Sequence, residues 1–194
     1  MEEITLETPD QYIGSVYDYD ELHSFTTEAP FTNCISCNRE LIDTQADYVV
    51  EKGVRNYVGT DVKDVIFDYA MCMSCASQLQ EQLSVESRSA IQNYFMENME
   101  SLLSTDVDIK TRFSKCLFSH KDLSTTTEYQ LVALCKGDKI MSSPAPYAIS
   151  NEEVEKIQAL ISQATRDELD DFTDKHFGGP PAFKELLKQK LILV

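Results

Sequence analysis

No uninterrupted apolar run in this 194-residue chain is long enough to cross a bilayer, so no membrane partner is expected. The N-terminus, Met1-Glu2-Glu3-Ile4-Thr5-Leu6, carries no basic stretch ahead of an apolar one, and no signal peptide is read there. A Gly-rich phosphate loop, a GxSxG elbow and an HExxH pair are all missing, which removes the usual signatures of phosphoryl transfer, serine hydrolysis and zinc proteolysis. Positive charge is scarce: 17 Lys and Arg stand against 33 Asp and Glu, a net charge of −16. A surface that acidic repels nucleic-acid backbones unless a basic patch is segregated. The one locally basic stretch, Lys184 to Lys190, reads as a solvated helix face. The expected compartment is the cytoplasm.

What is present is ordinary globular composition, 42% hydrophobic and 26% charged, enough for one moderate domain or two small ones. Six cysteines without a secretory signal suggest metal ligation or buried thiols rather than disulfides. Four of them form two CxxC units, Cys34-Ile35-Ser36-Cys37 in a turn-like stretch and Cys72-Met73-Ser74-Cys75 where an apolar strand pattern gives way to a helical one. Two such units can supply four thiolates to one tetrahedral zinc. Iron in an all-thiolate site is an alternative, since ligand type alone does not separate the two metals.

The chain also matches itself. Cys34 through Leu41 reads Cys-Ile-Ser-Cys-Asn-Arg-Glu-Leu, and Cys116 through Leu123 reads Cys-Leu-Phe-Ser-His-Lys-Asp-Leu, an offset of 82 residues. Downstream, Tyr69-Ala70-Met71-Cys72 matches Tyr147-Ala148-Ile149-Ser150; Leu79 and Leu83 match Ile157 and Ile161, and Arg88 matches Arg166, with an offset of 78. Order and near-equal offset predict a repeat of about 80 residues. On that alignment the second copy has lost its ligands: Ser119 stands for Cys37, Ser150 for Cys72 and Glu153 for Cys75, while Cys116 survives.

The expected organisation is an acidic, flexible arm over residues 1–31, a zinc-binding unit over 32–103, a linker over 104–113, and a degenerate second unit with a C-terminal helix over 114–194. Strands are predicted over 46–58 and 62–71, and again over 128–136 and 138–142. A helix is predicted from Ser74, with Leu79, Leu83, Ile91, Tyr94, Phe95, Met99 and Leu102 at helical spacing and a second segment capped by Ser84. Ser150-Asn151-Glu152-Glu153 and Thr165-Arg166-Asp167-Glu168 read as capping boxes. Gly178-Gly179-Pro180-Pro181 should stop a helix, and Ala182 to Leu193 should form another.

A CxxC turn, a two-stranded hairpin and a second CxxC at a helix start resemble the treble-clef zinc finger, over residues 32–85. The resemblance implies that Cys34 and Cys37 lie on a knuckle and Cys72 and Cys75 on the first helical turn. Family knuckles often carry Pro after the first Cys and Gly after the second; here those places hold Ile35 and Asn38, and Asn tolerates the left-handed backbone a knuckle wants. The implied fold is α+β, two tandem treble-clef-like units, the second without its metal ligands.

Four cysteines around zinc leave no open coordination position, so the expected role of the site is structural. Cys116, His120 and Cys135 could supply a second metal, but Cys116 reads as a remnant and Cys135 as a buried thiol in an apolar run. His23 and His176 have no evident partners. The leading expectation is a zinc-stabilised, non-enzymatic protein-interaction module engaging a basic or apolar protein. A thiol–disulfide protein using Cys72 and Cys75 is the alternative. A nucleic-acid-binding finger comes third and requires Arg39, Lys52, Arg55 and Lys63 to gather on one face.

Overall fold

A computed structural model describes residues 11–97 and 108–190. Its centre is strand β4, Asp47–Asn56, which is buried from Tyr48 through Val54 because both faces and both edges are covered. That is why its sequence lacks the alternation of a half-exposed strand. The long antiparallel partner β5, Lys63–Cys72, forms one edge of a six-stranded antiparallel sheet. On the other side β4 pairs with β6, Glu128–Lys136. Beyond β6, one line holds β7 (Lys139–Met141) at one end and β8 (Tyr147–Ser150) at the other, and β1 (Tyr12–Ser15) pairs with β7. The segments read as two units therefore share a single sheet through the β4–β6 pairing.

The two stretches matched in sequence pair with their return strands in the same way. Tyr48, Val49, Val50 and Glu51 oppose Cys72, Met71, Ala70 and Tyr69; Tyr129, Gln130, Leu131 and Val132 oppose Ser150, Ile149, Ala148 and Tyr147. Between the two sets, Glu51 pairs with Val132, its own counterpart 81 positions on. Where the first unit has one unbroken return strand, the second has β7, an interruption at Ser143-Pro144-Ala145-Pro146, and β8.

Helices cover one face. α1 (Met73–Gln82) and α2 (Val85–Met96) follow β5; α4 (Asn151–Leu160) and α5 (Gln163–His176) follow β8. Phe67 and Tyr69 of the sheet pack edge-on against Phe177, and Tyr69 also against Phe172, while Tyr147 meets Phe95. α6, Pro181–Lys188, starts on the last proline of the predicted Gly-Gly-Pro-Pro stop, one residue before the expected Ala182, and buries Leu187. On the opposite face lie the N-terminal segment with the small hairpin β2 (His23–Ser24) and β3 (Ala29–Pro30), and helix α3, Ile109–Ser114.

Two charges of β4 are buried, and one of them, Lys52, holds the N-terminal segment. Lys52 donates to the His23 carbonyl at 2.6 Å, and Glu51 accepts the Tyr69 hydroxyl at 2.6 Å, so neither charge is buried without a polar partner. Residues 12–30 are thus fixed to the body rather than forming the flexible arm read from composition. The linker likewise contains α3 from residue 109, while residues 104–107, with Met99, Leu102 and Leu191 to Val194, lie outside the described residues.

Two capping expectations change. Ser84 caps α2 as predicted, its hydroxyl accepting from Ser87 N–H. α5 is capped by Ser162, which accepts from Thr165 N–H, because the helix begins three residues earlier than the Thr165 box implied. Ser150 precedes α4 but makes no side-chain cap bond, and Glu153 turns to Tyr94 and Lys156 instead of back to the helix start.

Candidate metal centre

The turn Asn33 to Glu40 closes with an isolated antiparallel bridge between those two residues, and Cys34 N–H donates to the Arg39 carbonyl at 2.8 Å. Asn38 N–H returns to the Cys34 carbonyl, with Asn38 at φ 58°, the left-handed backbone that Asn accepts more readily than most residues. Ile35 N–H bonds the Ala70 carbonyl, which fastens the knuckle to the outer edge of β5. Cys72 ends that strand and is the residue before α1, so the chain's own turn from strand to helix delivers Cys72 and Cys75 to the knuckle.

The four predicted ligands are brought together. The sulfurs of Cys34, Cys37, Cys72 and Cys75 all lie within 4.8 Å of one another, and Cys37 and Cys72 are 3.8 Å apart. With metal–sulfur bonds of about 2.3 Å, the edge of a tetrahedron is about 3.8 Å, so the spacing suits a four-thiolate metal. Cys34 and Cys72 are buried, Cys75 is half-buried and Cys37 is exposed, and none is in a disulfide.

Electrostatics make the same point. Burial pushes the Cys34 thiol up, but the N–H groups of Cys37, Cys72 and Ser36 and the Cys37 side chain outweigh it and bring it down to about 7. Cys72 N–H reaches the Cys34 sulfur at 3.3 Å. Once one thiolate forms, its neighbours are disfavoured: burial and the adjacent sulfurs hold both Cys72 and Cys75 above the ordinary thiol value. All four sulfurs could be thiolates at this spacing only around a cation, and the cluster could hold a metal ion with sulfur affinity.

The second knuckle repeats the backbone, bond for bond. Lys115 bridges Asp122, Cys116 N–H donates to the Lys121 carbonyl, His120 N–H returns to Cys116 with φ 56°, and Leu117 N–H bonds the Ala148 carbonyl. Ser150 N–H approaches the Cys116 sulfur at 3.4 Å, as Cys72 N–H approaches Cys34. The side chains are what differ. Burial pushes the Cys116 thiol up, yet the hydroxyls and N–H groups of Ser119 and Ser150 pull it below its ordinary value. Both serine hydroxyl oxygens are buried and, apart from the Cys116 sulfur they face, meet no hydrogen-bond partner among the described residues. Glu153 is buried, accepts the Tyr94 hydroxyl and pairs with Lys156 at 2.8 Å. Phe118, at the place of Ser36, packs against Tyr94 and Phe95.

Cys116, His120 and Cys135 do not converge: Cys135 is fully buried on β6, where burial pushes its thiol up to about 12, and His120 is exposed. Among the described residues the four-cysteine group is the one cluster able to hold a metal. His176, read as unpartnered, lies against the first knuckle: its ring meets the Ile35 backbone and stacks near Phe172, 4.7 Å between ring centres. No sequence signal announced that contact, because it joins α5 to a turn about 140 residues earlier. His23 Nε2 sits 2.9 Å from the Val16 carbonyl, inside the N-terminal segment. Of the basic residues considered for nucleic acid, Lys52 is buried and Arg55 is ion-paired with Glu128 at 2.8 Å.

No helix among the described residues is long and apolar enough to cross a membrane. Comparison with protein-family models, curated proteins and solved structures finds no match for this chain.

Proposed function

We propose that this chain is a zinc-stabilised, non-enzymatic protein-interaction module, built by duplication of a treble-clef-like unit whose second copy replaced its metal with packing. The observation that carries the reading is the closed set of four sulfurs. A metal held by four thiolates has no free position for water or substrate, so its contribution is to folding. The matched knuckles support the duplication, and the filled second site supports packing as the substitute: Phe118, Tyr94, Glu153 and Lys156 occupy the surroundings of Cys116.

The acidic surface suits a basic or apolar protein partner. The thiol–disulfide alternative needs an acidic attacking thiol at Cys72 or Cys75, and both are instead held above the ordinary value. The experiment that separates the two pairs in-cell crosslinking of the metal-loaded chain with an assay of insulin disulfide reduction. The reading expects a specific crosslinked protein whose capture weakens with salt, and no reductase activity. Turnover abolished by replacing Cys72 and Cys75, with no crosslinked partner, would overturn it.

A further inference from the structure

A cleft of about 250 Å3 opens on the face of the sheet opposite the main helices. Its floor is apolar: Phe113 of α3, Leu123 of the following turn, and Tyr129 and Leu131 of β6, each less than a tenth exposed. Lys63 at the start of β5 and Lys110 of α3 stand on its rim. Both lysines are exposed, and neither has an ion-pair partner among the described residues, although the chain carries almost twice as many acids as bases. Lys63 Nζ meets the Tyr129 hydroxyl at 3.3 Å and lies 5.8 Å from the centre of its ring, which leaves an ammonium with donors to spare over an aromatic floor.

Two acids share the rim, and each is engaged with another group. Glu21 faces the buried ammonium of Lys52, and Asp122 accepts the Ser124 N–H at 2.9 Å beside Lys115. The ammonium groups on the rim that stand outside any ion pair among the described residues are Lys63 and Lys110. We infer that this cleft binds a small organic anion with an apolar body, a carboxylate or phosphate monoester whose head group bridges Lys63 and Lys110 while its body lies on Phe113, Leu123, Tyr129 and Leu131. The volume admits a ring-sized ligand, near the lower end of small-molecule sites. Lys63 comes from β5 and Lys110 from α3, inside the segment joining the units, so the site exists only when the linker helix is docked.

The test is titration of the metal-loaded full chain, followed by the backbone amide NMR signals of Phe113, Ser124 and Tyr129. Phenylacetate and phenyl phosphate supply the two anionic heads, and phenylacetamide is the neutral isostere. Saturable shifts at these amides are expected with at least one anion, with the amide about tenfold weaker. Whichever anion binds tighter identifies the head group. Lys63→Ala or Lys110→Ala should weaken the anion several-fold and leave phenylacetamide unchanged; both side chains are exposed, so the fold is kept. No saturable shift with either anion, equal affinity for the neutral isostere, or anion affinity unchanged in both variants would overturn the assignment.

Discussion

Ser84 Oγ and Ser162 Oγ lie 3.0 Å apart, and the two residues hold matching places in the chain, 78 positions apart, each capping the second helix of its unit. Around them the bonds are reciprocal: Ser84 N–H donates to Thr165 Oγ1 at 3.0 Å, and Ser162 N–H donates to Ser87 Oγ at 2.8 Å. Together with the Glu51–Val132 pairing in the sheet, this places like against like at two levels of the molecule. The hydroxyl cluster satisfies helix-start N–H groups that packing would otherwise leave bare.

Ser87 is fully buried, and its removal leaves the Ser162 N–H unpaired. Ser87→Ala should destabilise the fold by about 2 kcal/mol, and Thr165→Val by a similar amount through Ser84. Urea denaturation of both single variants and the double should give a sum that departs from additivity, because the two hydroxyls share one network. Strict additivity would separate the two caps.

If the second knuckle is a former metal site, its backbone should still hold one. The combined substitutions Ser119→Cys, Ser150→Cys and Glu153→Cys, beside native Cys116, should raise bound zinc from one to two per chain. Mass spectrometry under native conditions reads the change directly. A folded variant that still carries one zinc would argue that the two turns share only a shape.

Glu128 is joined by Arg55 at 2.8 Å and Lys190 at 2.6 Å, with its side chain 15% exposed. Burial raises its pKa, but those two cations hold it below the ordinary carboxylate value. A depressed folded pKa stabilises above the unfolded value and is lost as pH falls through the folded one. Glu128→Gln should therefore cost about 2 kcal/mol at neutral pH. The gap to the wild type should close in denaturation midpoints as pH falls through and below the ordinary carboxylate range. A gap that persists in acid would mean that shape, not charge, matters at this position.

Gly53 sits where the β4–β5 register shifts, and a Cβ there would come 2.4 Å from the Phe67 ring. Phe67 is itself wedged against Tyr69 and Phe177, so it has little room to yield. Gly53→Ala is expected to lower stability by about 1–3 kcal/mol through overpacking. A thermal midpoint equal to that of the wild type would show that the ring moves aside freely.

Local patterns were the legible part of this fold. The grouping of the four cysteines, the strand over 128–136, the Ser84 cap and the Gly-Gly-Pro-Pro stop follow from spacing and turn chemistry. The likeness of the two knuckle turns was legible too, through Cys116 and the leucines that follow the cysteines. What the sequence did not announce are pairings between distant segments: β4 with β6, β1 with β7, His176 on the first knuckle. The N-terminal segment read as a loose acidic arm because its anchors lie elsewhere, in Lys52 and in β7. Ser150 and Glu153 read as a capping box because the pattern is right; burial beside Cys116 and the pull of Lys156 and Tyr94 decide otherwise.

The central claim is that one metal, held by Cys34, Cys37, Cys72 and Cys75, contributes to folding rather than to chemistry. Elemental analysis of the wild type beside Cys34→Ser tests it most directly, with circular dichroism on the same samples. The account predicts one zinc per wild-type chain and, in the variant, loss of both metal and fold. A metal-free wild type with titratable thiols, or with a Cys72–Cys75 disulfide, would contradict it.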